Sequence, residues 1–252
     1  MNVLRSEWTK LRSVRGTWLT ALCTVLAGAA LSVLGASDLL GTSPSDLPAD
    51  WDPTTTSLKG FLFAQLLIGM LGALAVTTEY ATGMIGTSLA VVPSRTRLLL
   101  AKTAVVAAVA LVTALVTTLV SFTAVQLMFK GAGLPAASPG DPGVLRALAG
   151  GTLYLVLVAV IGVAVGVLTR STTGSLAVLV GAALLVPAIA PGLPGAVGDW
   201  FGRYWPVTAG QSAYAVVHAD GALAPGAGLA VLALTAAAVG VAGNAALRVR
   251  DV

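Results

Sequence analysis

The chain has 252 residues, 57% of them hydrophobic and 10% charged, and a mean hydropathy of +0.93. Soluble domains carry about a quarter charged residues, so this composition describes an integral membrane protein and excludes a disordered chain, a coiled coil or a disulfide scaffold, the last because Cys23 is the single cysteine. The formal charge of +4 does not make a nucleic-acid footprint, because Lys and Arg are scattered between hydrophobic segments instead of gathered on a solvated face.

In chain order, Leu4, Trp8 and Leu11 recur at helical spacing while Arg5, Ser6, Lys10 and Arg12 fall elsewhere. This predicts an amino-terminal interfacial helix with its apolar stripe at the acyl boundary and its cations against anionic lipid. A disordered positive flank is the plainer alternative. A helix needs about 20 apolar residues to cross a bilayer of roughly 30 Å, and six uncharged windows qualify. The predicted spans are 17–37, 60–78, 103–127, 148–169, 174–191 and 226–247, which gives an all-α, polytopic membrane protein with a single transmembrane domain over 1–252. The first span is too long for a secretory signal core, and five more follow it.

Counting Lys and Arg on alternate sides predicts that both termini are cytoplasmic. Arg5, Lys10, Arg12, Arg15, Arg95, Arg97, Lys102, Arg170, Arg248 and Arg250 then lie inside, and only Lys59, Lys130, Arg146 and Arg203 outside. The longest connection, 79–102, is too short to build its own core. Any soluble catalytic domain is therefore expected to belong to another chain.

The connection after the second span, EYATGMIGTSLAVVPSRTR (79–97), is cytoplasmic yet apolar, with Met84, Ile85, Leu89, Val91 and Val92. Such a segment either docks a partner or packs in the interface beneath the bundle, and physics alone leaves both open. Pro93 stops a helix there. Further on, Pro187, Pro191 and Pro194 are expected to break or bend the fifth span. Trp200, Phe201, Tyr204 and Trp205, beside Asp199 and Arg203, suit an aromatic belt on the outer side. Small-residue pairs such as Gly162 with Gly166, Gly28 with Ser32, Gly69 with Ala73 and Ala236 with Gly240 favour close helix packing.

Absences narrow the chemistry. No G-x-x-x-x-G-K-[ST] run occurs, so ATP hydrolysis is not expected of this chain. The predicted spans hold no ionisable residue, which weighs against an ion-coupled carrier. Gln65, Gln126 and Asn244 are read as bonds between helices or as substrate contacts. His218 has no second ligand nearby for a metal, and no nucleophile triad is recognisable, so the chain is not read as an enzyme.

The opening SEWTKLRSVRGTW (6–18), the EY-x-x-G-x-I run (79–85) and the SLA-x-x-P-S-R run (88–95) together resemble type-two ATP-binding-cassette (ABC) exporter permeases of actinobacterial style. The resemblance implies the permease subunit of an ATP-driven exporter in the cell membrane. Its loop after the second span would carry a coupling helix that docks on a separate ATPase, with Glu79, Tyr80, Gly83, Met84 and Ile85 in the coupling motif. ATP and magnesium would be bound by a dimer of that ATPase and none by this chain. A second permease copy, identical or related, would complete the transporter, and 192–225 would form a re-entrant hairpin capping the exit. Ala81, Thr82 and Gly86 depart from the basic or polar residues that relatives often carry, which favours apolar docking with Glu79 as the one charged contact. Glu79 could instead simply end the second span. Two rival functions stay open at this point: a membrane scaffold or assembly factor, and a stand-alone secondary carrier. The uncharged interior suits an amphiphile, a hydrophobic peptide, a lipid-linked molecule or an aromatic drug as the substrate.

Overall fold

The computed structural model describes residues 3–48, 50–91, 94–217 and 221–249. Within them every regular element is helical. α1 (Val3–Ser13) turns at Val14 into α2 (Arg15–Ser37), and the short α3 (Pro53–Ser57) leads into α4 (Phe61–Ala81). After α5 (Met84–Val91) come α6 (Arg95–Gly131) and α7 (Val144–Thr169). The fifth span is composite: α8 (Thr172–Val180), a π-turn (Gly181–Leu185), α9 (Val186–Ile189) and a 3-10 turn ending at Gly192. Two short helices, α10 (Ala196–Tyr204) and α11 (Pro206–Gln211), precede α12 (Pro225–Val249).

Six of these runs are long and apolar enough to cross a membrane: α2, α4, α6, α7, Thr172–Gly192 and α12. The six-span, all-α expectation therefore holds, with one boundary that differs in a way that matters. α6 begins at Arg95, well before the expected 103, and its 37 residues reach about 55 Å, against a hydrocarbon core of roughly 30 Å. Ser94 caps it by accepting from the Arg97 amide, and Leu98, Leu99 and Lys102 are already buried in its first two turns. Cutting windows at charged residues could not see this, because a lysine inside a packed helix looks like a loop. The expectation that the spans lack ionisable groups is accordingly corrected: α4 carries Glu79 and α6 carries Lys102, both buried.

α7 is the central helix, packed on α4, α6 and α12, while α2 covers α4 and α6. The core runs through Ile68 and Leu71 of α4, Val106 and Ala110 of α6, and Tyr154, Leu155 and Val163 of α7. α4 and α7 meet at backbone distance because glycine faces small residues: a Cβ on Gly162 would lie 2.0 Å from the Gly69 carbonyl oxygen, and one on Gly166 would lie 2.9 Å from that of Ala73. The two small-residue pairs seen in the sequence thus cross each other within this chain. α2 and α12 are mostly exposed, showing Leu19, Leu26, Leu34, Leu234 and Val241.

The break in the fifth span has a backbone cause. Pro187 has no N–H to return to the carbonyls of Ala182 and Ala183, and both find side-chain donors instead. Trp205 Nε1 donates to Ala182 O (2.7 Å), and Gln65 Nε2 donates to Ala183 O (3.4 Å). Gln65 Oε1 in turn accepts from the Tyr154 hydroxyl. Gln126 donates to Pro53 O and Ser57 Oγ and accepts from the Ala137 amide, and Asn244 Oδ1 accepts from Thr96 Oγ1. All three polar residues expected within the spans therefore bond between segments. α11 lies against α12, with Gly210 close to Tyr154 and Leu232. Between 192 and 217 the chain thus forms two short helices and a 3-10 turn (Ser212–Tyr214), the second helix wedged into the bundle, in addition to the aromatic face Trp200, Phe201, Tyr204 and Trp205 on and after α10. Pro93, Val92, His218 and Arg250 lie outside the described residues.

Candidate functional site

α1 places Glu7 and Lys10 one turn apart, the last turn of α4 brings Glu79, and the second turn of α6 brings Lys102. Lys102 Nζ donates to Glu7 Oε2 (2.7 Å) and Glu79 Oε1 (2.5 Å), and Lys10 Nζ donates to Glu7 Oε1 (2.6 Å) and Glu79 Oε1 (3.2 Å). Two carboxylates and two ammonium groups balance in charge. Glu7, Glu79 and Lys102 are 5%, 7% and 6% exposed, so water contributes little to holding them apart. Lys10 is the open member. Burial works against its charge, yet hydrogen bonding to Glu7 and the pull of Glu79 and Glu7 prevail and hold its pKa above the ordinary lysine value.

A cleft of about 350 Å³ adjoins the cluster, walled by Leu11, Val14, Leu74 and Val105 and reaching Met84. α5 starts immediately beyond. Gly83, at φ +70°, makes the left-handed turn that lets the chain leave α4 and re-enter a helix at Met84, a conformation that costs a residue with a Cβ. Ile85 is buried, in the space bounded by Val76, Tyr80, Leu98, Val167 and Leu247, and so anchors α5 to α4, α6, α7 and α12. Met84 is 48% exposed at the start of α5. Tyr80 is half-buried, with the Arg170 guanidinium 5.2 Å from its ring centroid, and Arg170 ends α7 in the left-handed conformation at φ +52°. The start of α6 is tied to the end of α12: Arg95 Nη1 donates to Leu247 O, and Arg248 Nη2 donates to Thr96 Oγ1 (2.8 Å).

The five residues of the expected coupling motif therefore lie together but do different things. Met84 presents surface, Gly83 sets the turn, Ile85 and Tyr80 anchor, and Glu79 faces inward into the ion cluster. On the interfacial helix, Leu4 and Trp8 are exposed and Leu11 packs against the core. Glu7, Lys10, Lys102 and Arg170 were not singled out in the sequence as site residues. A signal for Glu7 was available: it sits between Leu4 and Leu11 on the apolar stripe, an unfavourable place for a carboxylate unless a cation meets it. Lys102, following Leu98-Leu99-Leu100-Ala101, is the matching cation. Among the described residues no group of three His, Cys, Asp or Glu side chains is arranged to hold a metal.

A junction of this kind binds three helix ends into one body beside a short helix with an open apolar residue. Such an arrangement is suited to passing a displacement of the short helix on to those three helix ends. A family model for ABC-2 family transporter proteins matches residues 3–186, from α1 to the start of α9. The chain belongs to that family. It is accordingly a transmembrane component of an ABC transporter and a multi-pass membrane protein. No curated protein matches this permease. The family membership also separates the stand-alone carrier from the transporter component, which the supposed lack of charge in the spans no longer does.

Proposed function

We propose that this permease is the membrane-spanning subunit of an ATP-driven exporter in the cell membrane, with both termini cytoplasmic. A dimer of separate cassette ATPases binds ATP and magnesium, and two permease copies, identical or related, form the path. α5 is the coupling helix, and its contact with the ATPase is made by Met84. Glu79 serves as a positioning residue: held by Lys10 and Lys102, it joins the end of α4 to α1 and α6 so that a displacement of α5 moves all three together. ATP-driven closure of the ATPases then tilts the bundle between inward- and outward-open states.

The observation that carries this proposal is the ion cluster beside α5. Neither a passive loop nor a scaffold patch needs four charges, three of them nearly free of water, at the meeting of α1, α4 and α6. The apolar docking favoured by Ala81, Thr82 and Gly86 is consistent with Met84 as the open contact.

Co-purification from mild detergent tests the docking. A cassette ATPase is expected to accompany the native chain in stoichiometric amount and to be lost on Met84→Asp, while the thermal unfolding of that variant stays native because the side chain is half exposed. An ATPase retained at full occupancy by Met84→Asp would remove Met84 from the contact. Absence of any ATPase under conditions that keep the chain folded would favour the scaffold function.

A further inference from the structure

The end of α2 away from α1 leads to a second cleft of about 480 Å³, between the α3 segment and the α10 to α11 segment. Its size falls in the range of small-molecule sites, roughly 300–1,000 Å³. Two of its lining residues carry buried polar atoms without a hydrogen-bond partner among the described residues, Trp51 Nε1 and Thr208 Oγ1. An indole N–H can only donate, and leaving it dry and unpaired forfeits its hydration. It asks for an acceptor.

The charges in the same cleft point to which acceptor. This end of the bundle carries four cations, Lys59, Lys130, Arg146 and Arg203, and two of these, Lys59 and Arg203, line the cleft and are exposed. Of the two carboxylates among the described lining residues, Asp52 is already engaged by the amides of Thr54, Thr55, Val216 and Val217 and by the Thr55 hydroxyl. Asp50 stands at the cleft wall, where it suits an amine carried by the same ligand. Lys59 Nζ already donates to Gly35 O (3.0 Å), which leaves two of its three protons, and the Arg203 guanidinium lies 5.4 Å from the Tyr204 ring centroid with its N–H groups still available. The capacity left over among the described residues is therefore rich in donors: the remaining protons of two cations, an indole N–H and a hydroxyl. A phosphate ester, with several acceptor oxygens and a full negative charge, fits that set better than a single carbonyl. Val197, Trp200 and Tyr204 lie exposed along α10, which gives an apolar and aromatic shelf of the sort found at headgroup depth.

We propose that this cleft binds the phosphate-ester headgroup of an amphiphile, with Lys59 and Arg203 meeting its charge and Trp51 and Thr208 donating to its oxygens. The membrane leaflet it serves is the outer one if the orientation proposed above holds, but binding itself does not depend on the ATPase. The headgroup stays at the mouth of the bundle and does not enter the apolar interior.

Native mass spectrometry of the full-length chain in detergent, with dioctanoyl phosphatidylglycerol, dioctanoylglycerol and glycerol 3-phosphate as probes, tests the site. Saturable binding of phosphatidylglycerol is expected, with no comparable binding of the uncharged diacylglycerol. Arg203→Gln should weaken it about tenfold, as the loss of one charge-assisted hydrogen bond predicts, and Trp51→Phe severalfold, since the ring is kept and only the N–H is removed. Arg203 is exposed, so its variant folds as the native chain does. Equal binding of the diacylglycerol, or native affinity in both variants, would overturn the proposal, as would the absence of saturable binding. Binding of the acylated phosphate alone identifies a membrane lipid as the source, and equal binding of glycerol 3-phosphate identifies a free phosphate ester; either supports the headgroup site.

Discussion

A lysine in the second turn of a membrane helix has to be hydrated or paired, and Lys102 is paired with two carboxylates that are themselves shielded from water. Removing it leaves Glu7 and Glu79 facing each other with only the partly open Lys10 between them. Lys102→Met is expected to cost about 3–5 kcal/mol, the usual penalty for orphaning a buried charge. Lys10→Met is expected to cost about 1 kcal/mol or less, because solvent screens its contribution. Chemical unfolding of both variants in one detergent checks the contrast, and equal losses would mean that the two lysines share the load. At the opposite end, burial alone would raise the pKa of Asp52, but the Thr55 hydroxyl and the amides of Val216, Thr55 and Val217 more than offset this and hold it below the ordinary carboxylate value. A group with a lowered folded pKa stabilises the fold above its unfolded value, about 3.9, and that contribution is lost as pH falls through the lowered folded value. Protection of the Val216 and Val217 amides from exchange, corrected for the intrinsic pH dependence, should therefore persist at pH 5 and collapse in stronger acid. In Asp52→Asn, protection should be weaker and without that acid limb. Glu7 and Lys102 each stand out in the sequence as a charge among apolar residues, but neither pairing was legible there. Glu7 and Lys102 are 95 residues apart, and Asp52 and Val216 are 164 apart, so only the fold brings them together.

Among the elements, hydropathy located the six spans because burial in lipid demands a long apolar run, and it misplaced the start of α6 because pairing can satisfy a charge within such a run. Small-residue spacing was equally ambiguous. Gly162 with Gly166 and Ala236 with Gly240 read alike, yet Gly162 abuts the α4 backbone, whereas a Cβ added at Gly240 would meet nothing within 4 Å. Gly162→Ala must push α4 and α7 apart and should destabilise by about 1–3 kcal/mol or more. Gly240→Ala should be neutral or stabilising by up to about 1 kcal/mol, through helix propensity. Thermal unfolding of the pair decides it, and a similar loss at both positions would place a further contact on α12. The prolines of the fifth span did announce a break. They could not announce that Gln65 and Trp205 would take over the freed carbonyls and so fasten the broken span to α4 and to the junction of α10 and α11. Pro187→Ala returns an N–H to compete for those carbonyls. We expect the π-turn to be lost, Trp205 to be released, visible as a change in its fluorescence against a Trp205→Phe control, and the span to stiffen. Unchanged Trp205 emission would show that the break does not depend on the proline.

At the scale of the whole molecule, a central helix packs between two ends that are each fastened by charge. At one end a four-charge cluster joins α1, α4 and α6 beside the exposed Met84 of α5, and α7 carries the packing from there through the bundle to α11 and α12. At the other end Asp52 fastens α3 to the segment after α11. Fastened ends joined by a central helix, with a broken span alongside, suit the tilting bundle proposed above. The central claim is that movement of α5 reaches the bundle through Glu79, and it is tested most directly by ATP turnover of the reconstituted permease and ATPase complex, native against Glu79→Gln, with binding measured in the same preparation. The account predicts that the ATPase stays bound in native stoichiometry while the turnover stimulated by the permease falls severalfold, since docking through Met84 survives and its transmission does not. Native turnover with native binding would contradict it.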